Sequence, residues 1–379
     1  MSKLRRVLAP LALVTGSVLA ASAAPPQYQI IDIGVVQGTD FASQGFGISP
    51  GGVATGRSVW SSGGAYAFSW TQGGGIVGLP NLASPVRNYS VGNAANDSGM
   101  IVGTGSTTLS GSSPLPLKWQ GGVVSQLALP TGQTLGRAFG LNNLGTAVGS
   151  VNSGSNEVGV IYSGSSASII STTTSNGSFF RTAYGINNAG LVCGFGIDPT
   201  NAAVNVGILY DSASNTTFTV GALNGFNGAI AFGISNGGHV VGSSMLNQGS
   251  GLPFIWTQGG GIQAIPLATG TSQGSARGVN ASGWAVGTDS SAFAIPFVFD
   301  GSQTYRIGDC LVNGAGWDLL TNTSSSAMGI SDNGTIVGTG VLNGAIHAYA
   351  AVPVPEPMSL LGLAGGVLTM AALRRRKRA

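Results

Sequence analysis

The sequence predicts an all-β fold, a closed ring of seven four-stranded blades. Three observations carry that expectation. A glycine-bracketed motif recurs seven times at nearly constant spacing. Residues within each copy alternate with a period of two, as strands do. One strand stands before the first copy without a blade of its own, and the last copy ends one strand short.

The motif is clearest at Gly185-Ile186-Asn187-Asn188-Ala189-Gly190-Leu191-Val192-Cys193-Gly194. Its general form is Gly (Ala94 once), an apolar residue, Asn or Ser, two variable residues, Gly, three residues and Gly. The closing glycines are Gly56, Gly103, Gly149, Gly194, Gly242, Gly287 and Gly338, at intervals of 47, 46, 45, 48, 45 and 51 residues. A fixed period of this length marks a propeller or a solenoid.

Each copy reads as a hairpin. Ala183 to Asn187 alternates as a first strand, and Asn188-Ala189-Gly190 supplies a turn. Asn and Gly tolerate the positive φ that tight hairpins need. Leu191 to Cys193 is the second strand. A third follows with one aromatic per copy: Trp70, Trp119, Tyr162, Tyr210, Trp256, Phe299 and Tyr349. A fourth follows a Gly- or Ser-rich turn, as in Gly75-Ile76-Val77-Gly78-Leu79. Four short strands in about 47 residues match one propeller blade. The seventh copy lacks a fourth strand, and Tyr28 to Val35 is expected to supply it, closing the ring and its open edge. A solenoid would instead need capped ends.

Composition agrees. Glycine is 64 of 379 residues, more than twice the usual share, without a three-residue period, so it serves turns rather than collagen. Charged residues are only 7% while hydrophobic residues reach 43%, the opposite of a disordered chain. Eight of the 15 basic residues lie at the two ends, which leaves seven in the body against eleven acidic ones. Such a body has no basic patch for nucleic acid.

The ends read as addresses. Residues 1–24 form a secretory signal peptide: Lys3, Arg5 and Arg6, an apolar run from Val7 to Ala20, and the small-residue site Ala21-Ser22-Ala23. Residues 25–352 are the repeat domain. Residues 353–379 comprise Pro355-Glu356-Pro357, an uncharged apolar helix from Met358 to Leu373, and the cluster Arg374, Arg375, Arg376, Lys377 and Arg378. Sixteen helical residues span roughly 24 Å, just short of a bilayer core. The cationic cluster stays cytoplasmic.

This tripartite end resembles the PEP-CTERM sorting signal. The resemblance implies processing by an exosortase near Pro355-Glu356-Pro357 in a Gram-negative bacterium that makes exopolysaccharide. The protein would be held briefly in the inner membrane by its apolar helix, then reach the cell surface or extracellular matrix. The repeat unit resembles the extracellular HAF-repeat family. His347-Ala348-Tyr349 matches its His-Ala-Phe triplet best, Ala67-Phe68 keeps two letters, and the other copies keep the Gly-Ile-Asn…Gly…Val-Gly part. That resemblance implies an exported propeller without an established activity.

Chemistry is sparse. His239 and His347 stand about two blades apart and read as structural residues. Neither they nor the cysteines have metal-ligand spacing, so no metal or cofactor is expected. Cys193 occupies a strand position held elsewhere by Val or Thr, and Cys310 lies in a non-adjacent copy, which argues against a disulfide. Glycine clusters such as Gly74-Gly75-Ile76-Val77-Gly78 lack the strand-to-helix context and the Lys of a nucleotide loop. Asp309, Trp317 and Asp318 lie in the longest interval, where extra length is expected to form a loop, and are the candidates for a ligand site. The sequence therefore points to a binding or structural module without enzymatic machinery, meeting exopolysaccharide or surface proteins. The alternative is a glycan hydrolase or lyase, which needs two converging carboxylates.

Overall fold

The computed structural model describes residues 24–355 apart from 61–62, 86–87, 108–111 and 154–155. The expected signal peptide, the C-terminal helix, Glu356, Pro357 and the Arg374–Arg378 cluster lie outside the described residues. Among those described, strands dominate, the one helical element is the 3₁₀ turn Ile307–Cys310, and no helix is long and apolar enough to cross a membrane.

Each motif copy forms the first hairpin of a four-stranded antiparallel unit. In the fourth copy the order is Thr182–Ile186, Leu191–Asp198, Asn201–Asp211 and Thr216–Thr219, each strand paired with the next. The other units repeat this order, and the first two share one sheet through the parallel bridge Ala65↔Tyr89. In the last unit Ser326–Ile330, Ile336–Leu342 and Ala345–Pro353 are followed by Tyr28–Asp32 as the outer strand. The register runs from Tyr28↔Pro353 to Asp32↔Tyr349, and His347 Nδ1 lies 2.9 Å from Asp32 Oδ1 across the seam. The surplus strand thus pairs where the sequence placed it.

Two backbone features explain the glycines. The turn glycine has positive φ in all seven copies, from 78° at Gly99 to 100° at Gly52, where L side chains are strained. The closing glycine faces a β-bulge. Every first strand shifts register just before the motif, between Gly45 and Gly47 in the first copy and Ala183 and Gly185 in the fourth. This bulge interrupts the simple alternation expected from the sequence. It swings a backbone carbonyl over the closing glycine. A Cβ on Gly56, Gly103, Gly149 or Gly242 would sit 1.9 Å from that oxygen, and on Gly194, Gly287 or Gly338 2.0 to 2.1 Å.

An aromatic ring of the third strand packs against the same glycine in several units: Phe68 on Gly56, Phe254 on Gly242, Phe297 on Gly287 and Tyr349 on Gly338. Tyr349 pairs with Gly338, so it occupies the place of Phe68 rather than of Trp70. Ala351 holds the Trp70 position in the last unit, a two-residue correction to the aromatic alignment. The core is a chain of apolar clusters that bridge neighbouring sheets, such as Phe68 and Trp70 of the first unit with Val337, Ala348 and Ala350 of the last.

The motif Asn ties the units together. Its Oδ1 accepts the amide four residues on, capping its own turn: Met100, Thr146, Leu191 and Trp284. Its Nδ2 donates to the carbonyl of the equivalent residue in the next unit, from Asn96 to Asn142, Asn142 to Asn187, Asn187 to Ser235 and Asn280 to Ser331, at 3.1 to 3.4 Å. Serine keeps the cap, at Ser49, Ser235 and Ser331, without the bond to the equivalent carbonyl of the next unit; Ser49 instead bonds the Asp97 carboxylate there. The next residue forms a second belt. The amides of Asp97, Asn143 and Asn188 donate to the Oδ1 of Asn143, Asn188 and Asn236. Ala281 N donates to Asp332 Oδ1, Asp332 N to the Pro50 carbonyl, and Gly51 N to Asp97 Oδ1. Pro50 has no amide hydrogen, so the bond moves one residue along.

Two residues beyond the closing glycine, a buried side chain anchors the loop that leads into its own unit. Ser58 accepts Val36 N, Ser244 accepts Leu223 N, and Asp289 accepts Ala268 N at 2.7 Å. Asp289 is fully buried and its Oδ1 has no partner. Burial pushes its carboxyl up to about 7, against the hydrogen bonds from Ala268 and Thr271.

The Gly242→Ala substitution should cost roughly 3 kcal/mol, since the carbonyl of Ile230 must move. Gly73→Ala, with nothing near its Cβ and an ordinary φ, should stay within about 0.5 kcal/mol; paired denaturant melts check both. Between pH 3.8 and about 7 the folded chain holds a proton on Asp289 that the unfolded chain has released. Stability from this residue therefore falls as pH rises through that window and levels above it. Asp289→Asn should flatten the fall, and melting temperatures across the window measure it.

Candidate functional site: an aromatic cup on the axis

The bulges do more than shape the sheets. A bulge leaves one residue unpaired and re-aims its side chain. The seven residues skipped by the register are Phe46, Asn93, Phe139, Tyr184, Phe232, Arg277 and Met328. All seven line a single cavity of about 320 Å³. Its wall also includes the first motif residue of each copy, and its rim includes Pro50, Asn143, Asn188, Asn236 and Asp332.

The units meet around this space. A Cβ on Gly233 would lie 2.4 Å from the carbonyl of Arg277, on Gly140 2.7 Å from that of Tyr184, and on Gly278 2.8 Å from Gly329 Cα. Gly329 in turn faces Ile48 of the first copy. Asn93 Nδ2 donates to the Ala138 carbonyl at 2.8 Å.

Aromatic faces dominate one arc of the cup. Tyr184 stands between Phe139 and Phe232, with ring centroids 5.5 and 5.4 Å away, and stacks on Phe195 at 5.9 Å. Arg277 completes the arc, its Cζ 3.8 Å from the Phe232 ring centroid, a cation–π contact. Burial lowers the guanidinium's pKa from its ordinary value, partly offset by Tyr184. Burial raises the Tyr184 phenol, with Arg277 acting against it. Arg277 has no ion pair or hydrogen bond among the described residues. Asp332 is the one carboxylate in the lining, and its Oδ1 accepts the Ala281 amide.

The sequence-based candidates lie elsewhere. The extra length of the 51-residue interval forms the 3₁₀ turn and a short strand, Trp317–Asp318, paired with Val341 and Leu342, rather than an open loop. Asp309 is ion-paired with Arg306. Trp317 packs edge-on against Tyr349 at 6.0 Å. Asp318 accepts the amides of Leu320 and Thr321; burial alone would raise its carboxyl, but these bonds hold it below the usual range. None of the three lines the cup. His239 lies beside Ser235, and Cys193 and Cys310 are free and buried, their thiols pushed up to about 12 and about 11 by burial. Among the described residues no three His, Cys, Asp or Glu side chains gather as a metal set.

No family model matches the sequence, and no curated protein matches it. Solved structures do. An oligogalacturonate lyase from Vibrio parahaemolyticus aligns with a TM-score of 0.52 at 10% identity, over 87% of this chain and 98% of that one. A streptogramin B lyase aligns at 0.49 and 11% identity, over 86% and 98%. The β-propeller domain of the Trilobed protease from Pyrococcus furiosus aligns at 0.48 and 13% identity, over 69% and 82%. Such identities speak to fold alone, and they agree with the pairing described above: the chain is an all-β propeller.

Proposed function

We propose that this chain is an exported binding module of the cell surface or extracellular matrix, a closed seven-bladed propeller that meets its ligand at the axial cup. The observation that carries this reading is the cup itself. Seven otherwise unrelated residues are re-aimed into one cavity by seven bulges. A concave site with apolar faces and a few polar groups is where a propeller of any chemistry would hold a ligand. The blade count is supported by seven motif copies, each opening a four-stranded unit, and by the outer place of Tyr28–Asp32 in the last.

Export is supported by the charged and apolar start of the sequence. Sorting is supported by Pro355-Glu356-Pro357, the apolar run and the Arg-rich end, which together make an exosortase the processing partner. The same resemblance makes the cell's own exopolysaccharide the first ligand to test, with surface proteins second. A glycan hydrolase or lyase on this scaffold is the competing reading, since solved structures aligned with this chain are named as lyases.

The full chain should co-sediment with the insoluble matrix polysaccharide of the producing cells and release no new reducing ends. New ends in the same tubes would make it an enzyme. Neither binding nor cleavage would remove the polysaccharide from the proposal.

A further inference from the structure

We infer that the cup holds one acidic sugar residue, with Arg277 taking its carboxylate and the rings of Tyr184 and Phe232 lying against its ring. This rests on the binding-module reading and names the chemistry of its site.

The first ground is Arg277. A guanidinium carries five donors in a fork that fits a carboxylate in two parallel bonds. Here the fork is held beside Phe232 at 3.8 Å and has no acceptor among the described residues. A half-buried charge without a counter-ion is costly unless something supplies one. Within the lining, the carboxylate that could do so is Asp332, and it is tied to the Ala281 amide at the rim. The missing partner is therefore an anion from outside.

The second ground separates a sugar acid from a purely aromatic or aliphatic one. The cup pairs its rings with unused polar groups. The Tyr184 hydroxyl makes no hydrogen bond among the described residues. Asn188 and Asn236 spend their Oδ1 atoms on neighbouring amides, which leaves each Nδ2 free at the rim. A ligand that uses them needs several hydroxyls around a ring whose C–H face can lie on an aromatic plane. The third ground is size. A cavity of about 320 Å³ is at the small end of ligand sites, which run from about 300 to 1,000 Å³. It suits a single residue or a chain end, not a bound stretch of polymer.

The test is calorimetric titration of the intact chain with D-glucuronate and with D-glucose, repeated for Arg277→Gln and Arg277→Lys. Glucuronate should bind at least about tenfold more tightly than glucose, since a charge-assisted bond to the carboxylate separates them. That advantage should shrink as salt is raised, which a merely structural Arg277 would not produce. It should vanish in Arg277→Gln and fall in Arg277→Lys, which keeps the charge but loses the fork. If Arg277→Gln does not fold, the salt dependence of the natural chain and the Arg277→Lys titration decide. Equal binding of the two sugars, or an Arg277→Gln variant that folds and keeps the preference, overturns the inference. The co-sedimentation result separates the two levels. Matrix binding without a glucuronate preference sinks the acidic-sugar site and leaves the module. A glucuronate preference without matrix binding keeps the acidic-sugar site and removes the matrix polysaccharide as the module's ligand.

Discussion

The structure depends on a close approach between two backbones. In every repeat the bulge of the first strand lays a carbonyl oxygen against the closing glycine of the second, about 2 Å from where a Cβ would be. Glycine alone allows it. The approach has two effects at once. It increases the twist of the hairpin, which suits a blade packed radially against its neighbours. It also turns one side chain per repeat out of the sheet and into the axis. The frame is therefore constant while the inward residue is free to differ. That is why Phe46, Asn93, Phe139, Tyr184, Phe232, Arg277 and Met328 share a position but not a chemistry.

The asparagine belts convert seven similar hairpins into one body. An Asn side chain carries its acceptor and its donor on separate atoms, so it can cap its own turn and at the same time reach the equivalent carbonyl of the next unit; the single, shorter hydroxyl of Ser caps the turn without reaching that carbonyl. Where Ser331 and Ser49 lack that amide donor, backbone amides beside them make the crossing bond: Asp332 N to the Pro50 carbonyl and Gly51 N to Asp97 Oδ1. Between Asn236 and Ala281 the side-chain belt has no acceptor, and the gap is closed by packing instead, with Gly237 pressed on the Ala281 carbonyl. The seam between the last and first copies is the junction least local in sequence. It has a whole strand, Tyr28–Asp32, laid along Ala345–Pro353, and the Asp332-to-Pro50 bond below it. A propeller with open ends would leave that edge unpaired.

Much of this was legible in the sequence, because the features that set architecture are repeated. Period, turn glycines, strand alternation and the surplus strand at Tyr28 all recur or are counted against a recurrence. The cup was not legible, because its residues are defined by the failure of alternation. A bulge adds one residue, and nothing in Ala183-Tyr184-Gly185 alone says that Tyr184 is skipped. The available signal was the residue before the first motif position, which is Phe or Tyr in four of seven copies. Arg277 was hidden for the same reason: a lone cation among scattered ones gains meaning only from what surrounds it. Asp309, Trp317 and Asp318 attracted notice by interval length, yet that length went into a turn and a strand satisfied by local partners.

Residue-resolved amide hydrogen exchange of the intact chain tests the closed ring most directly. In a ring locked at its seam, the amides of Tyr28–Asp32 exchange as slowly as those of Ile336–Leu342, and the closing-glycine amides of all seven repeats open together in one cooperative event. Graded protection, with repeats opening one after another and Tyr28–Asp32 exchanging freely, would describe a linear array instead and would contradict the closure on which the axial cup depends.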